Sequence, residues 1–137
     1  MEKNFPKFNV IGLAVIFDTS KKKILIGRRE NDPLIPELSW VFPGGRANHS
    51  EDIDKSLKKA VKGQTGYTVK NLGAIFAKTY PEKKDLLSVY FFCEFIEGRE
   101  KVGGDLKELK WVSPKELERH FTTSYHPKLK EFIDNLG

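Results

Sequence analysis

Residues 9–17 (NVIGLAVIF) form an apolar run rich in branched side chains, and residues 22–28 (KKILIGR) form another after the turn-prone Asp18-Thr19-Ser20-Lys21. Short apolar runs separated by turn residues predict two buried strands paired as a hairpin. Residues 30–38 carry two prolines and predict a loop. Trp40-Val41-Phe42 predicts a short strand, stopped by Pro43-Gly44-Gly45. Over residues 51–65 the period changes, and Ile53, Leu57, Ala60, Val61 and Gln64 fall on one side of a helix. Ser50 is its expected N-cap, Glu51, Asp52 and Asp54 suit the positive end of its dipole, and Gly66 suits the left-handed position that closes it. Residues 68–80 and 87–97 predict long strands, the second (LSVYFFCEFIE) central in its sheet. Residues 107–112 predict a further strand, and Ser113-Pro114-Lys115-Glu116 opens a helix as a capping box. Residues 128–136 predict a last helix with Leu129, Phe132, Ile133 and Leu136 on one side. Strands, helix, strands and helices in that order predict the α/β (α+β) class, a mixed β-sheet sandwiched between α-helices.

Length and composition narrow this. The chain has 137 residues, 39% hydrophobic and 31% charged, which predicts one domain over residues 1–137 with an ordinary core. The single cysteine, Cys93, excludes an intramolecular disulfide framework and any CxxC metal site, and its place in an apolar strand reads as core packing. No apolar run approaches membrane-spanning length, and Met1-Glu2-Lys3-Asn4-Phe5-Pro6 does not open a signal peptide, so a soluble cytoplasmic protein with no membrane partner is expected. The net charge of +5 suits an anionic ligand and equally suits solubility.

The chemistry concentrates in residues 40–67, WVFPGGRANHSEDIDKSLKKAVKGQTGY. A strand, a Pro-Gly-Gly turn, a loop and a helix make a shape with a purpose. Glycines let backbone approach a ligand closely, and a helix N-terminus favours anions. This segment resembles the Nudix (MutT-like) hydrolase family. With the first glycine of that family's box on Gly45, its first Glu falls on Glu51, its Arg on Lys59, an aliphatic on Val61 and its late glycine on Gly66. Three further Glu positions fall on Ala60, Gly63 and Gln64, a degenerate form of the box. The approach Trp40-Val41-Phe42-Pro43-Gly44 and the later Glu108-Leu109-Lys110-Trp111-Val112-Ser113-Pro114 also look like the family's, so the likeness runs through nearly the whole chain.

The resemblance implies a Nudix-type fold and hydrolysis of a nucleotide or other diphosphate-linked small molecule with Mg²⁺ or Mn²⁺. It carries over Glu51 as a catalytic residue and Gly45, Glu51 and Gln64 as metal ligands if a metal binds. Residues 60, 63 and 64 are spaced i, i+3 and i+4, so carboxylates there would converge on a hard cation. Here that face presents a methyl group, a hydrogen and a neutral amide. The expectation that follows is a binding protein with hydrolase activity weak or lost, its cofactor Mg²⁺ (or Mn²⁺) if active and none otherwise. The alternative is an active divergent pyrophosphohydrolase of the triphosphate, ADP-ribose or nucleotide-sugar class. The Gly-Gly-Arg after Pro43 resembles members that act on nucleotide-sugars with a shortened motif. A basic nucleic-acid-binding module ranks third, because no such motif is present and the charge is small. A homodimer is compatible with all three.

The expected substrate-binding residues are Gly44, Gly45, Arg46 and Arg28. Arg46 follows the glycines and its guanidinium matches phosphate bidentately, although a loop charge could equally be solvated. Arg28 and Arg29 end a strand and point to opposite faces. Glu51 has an alternative reading as a helix-start carboxylate paired with Lys59. Asp52 and Asp54 lie too far along the helix from residues 60–64 to replace the missing acids. Glu94, Glu97, Glu100 and Asp105 are candidates for a carboxylate contributed from elsewhere. His49, His120 and His126 show no ligand spacing and read as surface or capping residues. Trp40, Phe42, Tyr80 and Tyr125 are the candidates for stacking on a ligand.

Overall fold

A strand buried on both faces needs apolar side chains at every position, and β1 (Asn9–Asp18) has them from Ala14 to Phe17. The chain turns at Asp18, whose carboxylate accepts from the Ser20 backbone N–H at 3.0 Å and the Ser20 hydroxyl at 2.8 Å. It returns as β2 (Lys23–Arg29), antiparallel to β1 as expected. This computed structural model describes residues 5–30, 39–121 and 125–136. Most of the loop expected at 30–38 lies outside the described residues.

Among the described residues seven strands form one mixed sheet. After β3 (Trp40–Val41) and β4 (Gly44–Arg46) come helix α1 (Ile53–Thr65), β5 (Tyr67–Thr79), β6 (Leu86–Gly98) and β7 (Leu106–Val112). A short 3-10 helix (Pro114–His120) and α2 (Pro127–Asp134) follow. β6 runs parallel to β1 from Asn9↔Leu86 to Phe17↔Glu94 and antiparallel to β5, so the LSVYFFCEFIE strand is interior, as its composition predicts.

The edge of β1 away from β6 is shared. Only Phe17 and Asp18 pair with β2, whereas Ile11–Leu13 pair with β4. β2 has its other edge occupied by β7 and meets β3 at Gly27 and Arg28. The two hairpin strands therefore splay, and residues 39–47 fill the wedge. Arg29 N–H donates to Ser39 C=O at 2.8 Å, Ala14 N–H to Pro43 C=O at 2.8 Å, and Ala47 N–H to Val10 C=O at 2.8 Å.

The Gly-Gly expected to end a strand instead makes one. A Cβ on Gly44, where φ is +155°, would sit 2.0 Å from the Gly12 carbonyl oxygen, so only glycine allows β4 this close to β1.

Each face has its own core. Ala14, Ile16 and Leu25 pack with Leu57 and Val61 of α1, Phe91 and Cys93. Val15, Phe17, Ile24 and Ile26 pack with Tyr90, Leu117, Leu129 and Ile133 under the 3-10 helix and α2. Cys93 is fully buried, in accord with a packing role.

Helix ends differ slightly from expectation. α1 begins at Ile53 with Asp52 at the N-cap, because Ser50 donates both its backbone N–H and its hydroxyl to the Asn48 side chain. Gly66 closes α1 at φ +80°, and a Cβ there would lie 2.2 Å from the Arg99 carbonyl oxygen. The Ser113–Glu116 capping box forms, with the Ser113 hydroxyl 2.7 Å from the Glu116 carboxylate, but it starts a 3-10 helix. α2 starts at Pro127, one residue before the expected span, with His126 as its cap.

Candidate functional site

The splay between β1 and β2 leaves a cavity of about 290 Å³, bordered by β1, β3, β4, α1, the end of β6 nearest Leu86, and α2. Gly44, Gly45, Arg46 and Gln64 all line it. So do the four stacking candidates, Trp40, Phe42, Tyr80 and Tyr125. Arg28 and Glu51 do not. The Arg28 guanidinium is held by Glu108 at 3.0 Å and Glu30 at 2.9 Å, and these hydrogen bonds, Glu108 first, raise its already high pKa. Its neighbour Arg29, on the opposite side of the strand, lines the cavity. The Glu51 carboxylate lies 3.4 Å from Lys59 Nζ, the pairing that its position on the helix allowed for.

Gln64 organises the polar end. Its amide oxygen accepts from Gly44 N–H at 2.9 Å, and its amide nitrogen donates to Gly44 C=O at 2.9 Å. The same nitrogen donates to Asp105 Oδ1 at 3.2 Å, and Asp105 Oδ2 lies 2.6 Å from Arg29 Nη2. A chain of contacts thus links β4, α1, the segment before β7, and β2. A primary amide can both donate to and accept from the backbone of one residue in this way, which a carboxylate, an acceptor only, cannot.

The antiparallel register explains why the Gly44 peptide is available. Bonds from Ala14 N–H to Pro43 C=O and from Ala47 N–H to Val10 C=O fix the alternation of the β1–β4 ladder. By that alternation Gly45 faces its partner Gly12, while the polar groups of Gly44 face away from β1, toward Gln64.

The other expected helix positions separate. Ala60 lines the cavity opposite Gly45, where an added Cβ would meet the Ala60 methyl at 3.5 Å. Gly63 does not line it, and a side chain there would meet nothing within 4 Å. Asp105 is the lining carboxylate, and it serves Arg29 and Gln64.

These residues do not fit a divalent hard cation, which takes several oxygens, carboxylates foremost. Gln64 Oε1 is engaged by Gly44 N–H, the Gly45 carbonyl belongs to the ladder, and Asp105 is neutralised by Arg29. Among the described residues no group of three or more His, Cys, Asp or Glu could hold a metal ion.

Among the described residues the lining suits an anion instead, with Arg29 and Arg46 against one carboxylate, Asp105. Among the described residues no hydrogen bond or ion pair engages the Arg46 guanidinium. Two lining residues were less legible. Arg29 and Asp105 are distant in sequence; strand alternation at Arg28-Arg29 pointed to the first, and Asp105 was one of four acids that could contribute from elsewhere, but nothing in the sequence joined the two. His126 caps α2 by accepting from Lys128 N–H at 3.1 Å through Nδ1, and it also lines the cavity.

The NUDIX domain family model matches residues 8–136. An ADP-ribose pyrophosphatase of Methanocaldococcus jannaschii is 26% identical over 100 residues, covering 71% of this chain and 58% of that protein's length. A MutT-like protein of Streptomyces ambofaciens is 20% identical over 138 residues, covering 99% of this chain and 84% of that protein. The crystal structure of a MutT protein from Methanosarcina mazei Go1 has the same fold, with a TM-score of 0.75 at 19% identity, covering 95% of this chain and 93% of that one. Among the described residues no helix is long and apolar enough to cross a membrane.

Proposed function

The chain belongs to the Nudix family, and from that premise we propose that its cavity binds a nucleotide or other diphosphate-linked metabolite, with hydrolase activity weak or lost. The observation that carries this is the Gln64 amide locked onto both polar groups of Gly44, where the resemblance expects a carboxylate. Members of the family generally use Mg²⁺ or Mn²⁺. The residues of this cavity supply cations to meet phosphate and do not supply a cluster of acids to meet a metal.

The geometry supports this reading. The Arg46 guanidinium is a fixed charge at the end of β4 and pairs with phosphate oxygens through two parallel N–H groups. Asp105 holds the second guanidinium, Arg29, at 2.6 Å and so limits its rotamers before any ligand arrives. The Gln64 contacts keep β4 against α1, which fixes where Arg46 starts.

The alternative, an active divergent pyrophosphohydrolase, is favoured by the relative named as an ADP-ribose pyrophosphatase. Turnover separates the two. Purified protein is assayed with Mg²⁺ and with Mn²⁺ against nucleoside triphosphates, ADP-ribose, dinucleoside polyphosphates and nucleotide-sugars. Binding with little or no metal-dependent release of product supports the proposal. Robust metal-dependent turnover, abolished by Glu51→Gln, overturns it.

A further inference from the structure

The flank of α1 turned away from the cavity is basic. Lys55, Lys58, Lys59 and Lys62 are all exposed and fall at i, i+3, i+4 and i+7, one stripe along the helix. With Tyr67, Thr68 and Val69 of β5 they line an open groove of about 340 Å³. Helix and strand run side by side in opposite directions. Lys62 Nζ lies 3.5 Å from Thr68 Oγ1, and further along Asp54 Oδ1 accepts from the Asn71 amide at 2.9 Å. Two carboxylates offset the four lysines, Asp54 at 3.3 Å from Lys58 and Glu51 at 3.4 Å from Lys59. Lys62 donates to a neutral oxygen, Gly66 C=O at 3.1 Å. Among the described residues no hydrogen bond or ion pair engages the Lys55 ammonium.

The sheet ends beside this stripe. Among the described residues β5 pairs with β6, and its other edge is unpaired. Ala60 and Gln64 occupy the flank of α1 on the β4 side, so the lysines overhang the open edge. That edge is continuous over residues 67–71. The register slip at Thr68/Val69 makes Ile96 of β6 the extra residue, and β5 itself bulges after Asn71, at Leu72 and Gly73. Along such a run every second residue turns its N–H and C=O outward. An open edge is a template for another strand, and the charges beside it select which strand.

We propose that this edge and its lysine flank form a docking groove for an extended acidic peptide segment of a partner protein, added to the sheet as a strand beyond β5. The groove is separate from the cavity, and its role does not depend on what the cavity binds. Charge and spacing select the class. Carboxylates at alternate positions of an extended strand lie roughly 6.6 Å apart on one face. The helix rise sets Lys59 roughly 6 Å and Lys62 roughly 10.5 Å along the axis from Lys55, so successive acids meet successive lysines. The lysine stems add apolar contact along the added strand. A second copy docking by the same edge would set one lysine stripe against the other. A nucleic-acid strand would use the lysines and leave the row of edge N–H and C=O groups unread.

The test is fluorescence anisotropy of the full chain with a labelled seven-residue peptide of alternating Glu and Thr. Its controls are the same residues with the glutamates clustered, two N-methylated forms of the alternating peptide, and an oligothymidylate. One N-methylated form carries its methyl groups on the Glu nitrogens and the other on the Thr nitrogens. The alternating peptide is expected to bind about fivefold or more tighter than the clustered one. The methylated form whose blocked nitrogens face β5 is expected to lose about tenfold or more, and the other to bind as the parent does. The Lys55→Ala/Lys62→Ala variant is expected to lose about three- to tenfold in affinity for the alternating peptide. No binding of the alternating peptide, equal affinity for the alternating and clustered peptides, or the same response from the two methylated forms overturns the proposal. None of those comparisons needs a variant to fold. Tighter binding of the oligothymidylate than of the peptide, or wild-type peptide affinity in the double variant, overturns it as well.

Discussion

Gln64→Glu changes one amide nitrogen to oxygen and should be among the more damaging isosteric substitutions in the chain. Two donated bonds disappear, to Gly44 C=O at 2.9 Å and to Asp105 Oδ1 at 3.2 Å. In their place a carboxylate oxygen faces a carbonyl oxygen and a second carboxylate. An acceptor stripped of its donor costs about 1–3 kcal/mol when buried. Facing charges add about 1 kcal/mol, at the low end of the Coulomb range because the Asp105 side chain is 50% exposed. The sum is about 2–4 kcal/mol, or a fall in melting midpoint of roughly 6–16 °C for a domain of this size. Thermal denaturation at pH 7 measures it. The introduced carboxyl sits where its neutral form is favoured, since only that form can donate to Gly44. Its penalty is therefore full at pH 7 and should shrink as the pH falls through the carboxylate range. A wild-type midpoint at pH 7, or a gain in Mg²⁺ affinity, would refute the reasoning.

Three further outcomes are expected. Gly44→Ala drives a Cβ to 2.0 Å from the Gly12 carbonyl oxygen, so β4 must leave its ladder, and urea denaturation should show a loss of about 3 kcal/mol or more. The Ser113 hydroxyl, and then the Ser113 N–H, hold the Glu116 carboxyl below its ordinary pKa. A depressed acid contributes stability above its unfolded-state value and loses it as the pH falls through the lower folded value, so Glu116→Ala should flatten the acid limb of a stability-versus-pH curve. Arg46→Ala should weaken ADP binding about tenfold by calorimetry, since bonds to charged groups exceed neutral ones, while Arg28→Ala, already committed to Glu30 and Glu108, should leave it within about twofold.

What could be read from the chain was what side-chain pattern encodes. The apolar runs of β1 and β6, the helical spacing of Leu57 and Val61, and Gly66 at the end of α1 are local signals, and the fold follows them. β4 was hidden because its first two residues are glycines, with no side chains to show a period, and its ladder is made by backbone alone. Gln64 was visible as a neutral amide on a face where acids were expected. Its partnership with Gly44 depends on which way a peptide unit faces, and register sets that. Arg29 and Asp105 come together only because β2 ends beside the start of β7, with Arg29 paired to Leu106. Arg28 was the more conspicuous half of that pair in sequence, yet the strand turns it toward Glu30 and Glu108.

On the function proposed above, this Nudix cavity meets a diphosphate with guanidinium groups and a locked glycine loop. Calorimetric titration of ADP-ribose into the protein, once in EDTA and once in Mg²⁺, tests it most directly. Binding is expected in both, with affinities within about threefold. Binding that appears only with Mg²⁺ would contradict it.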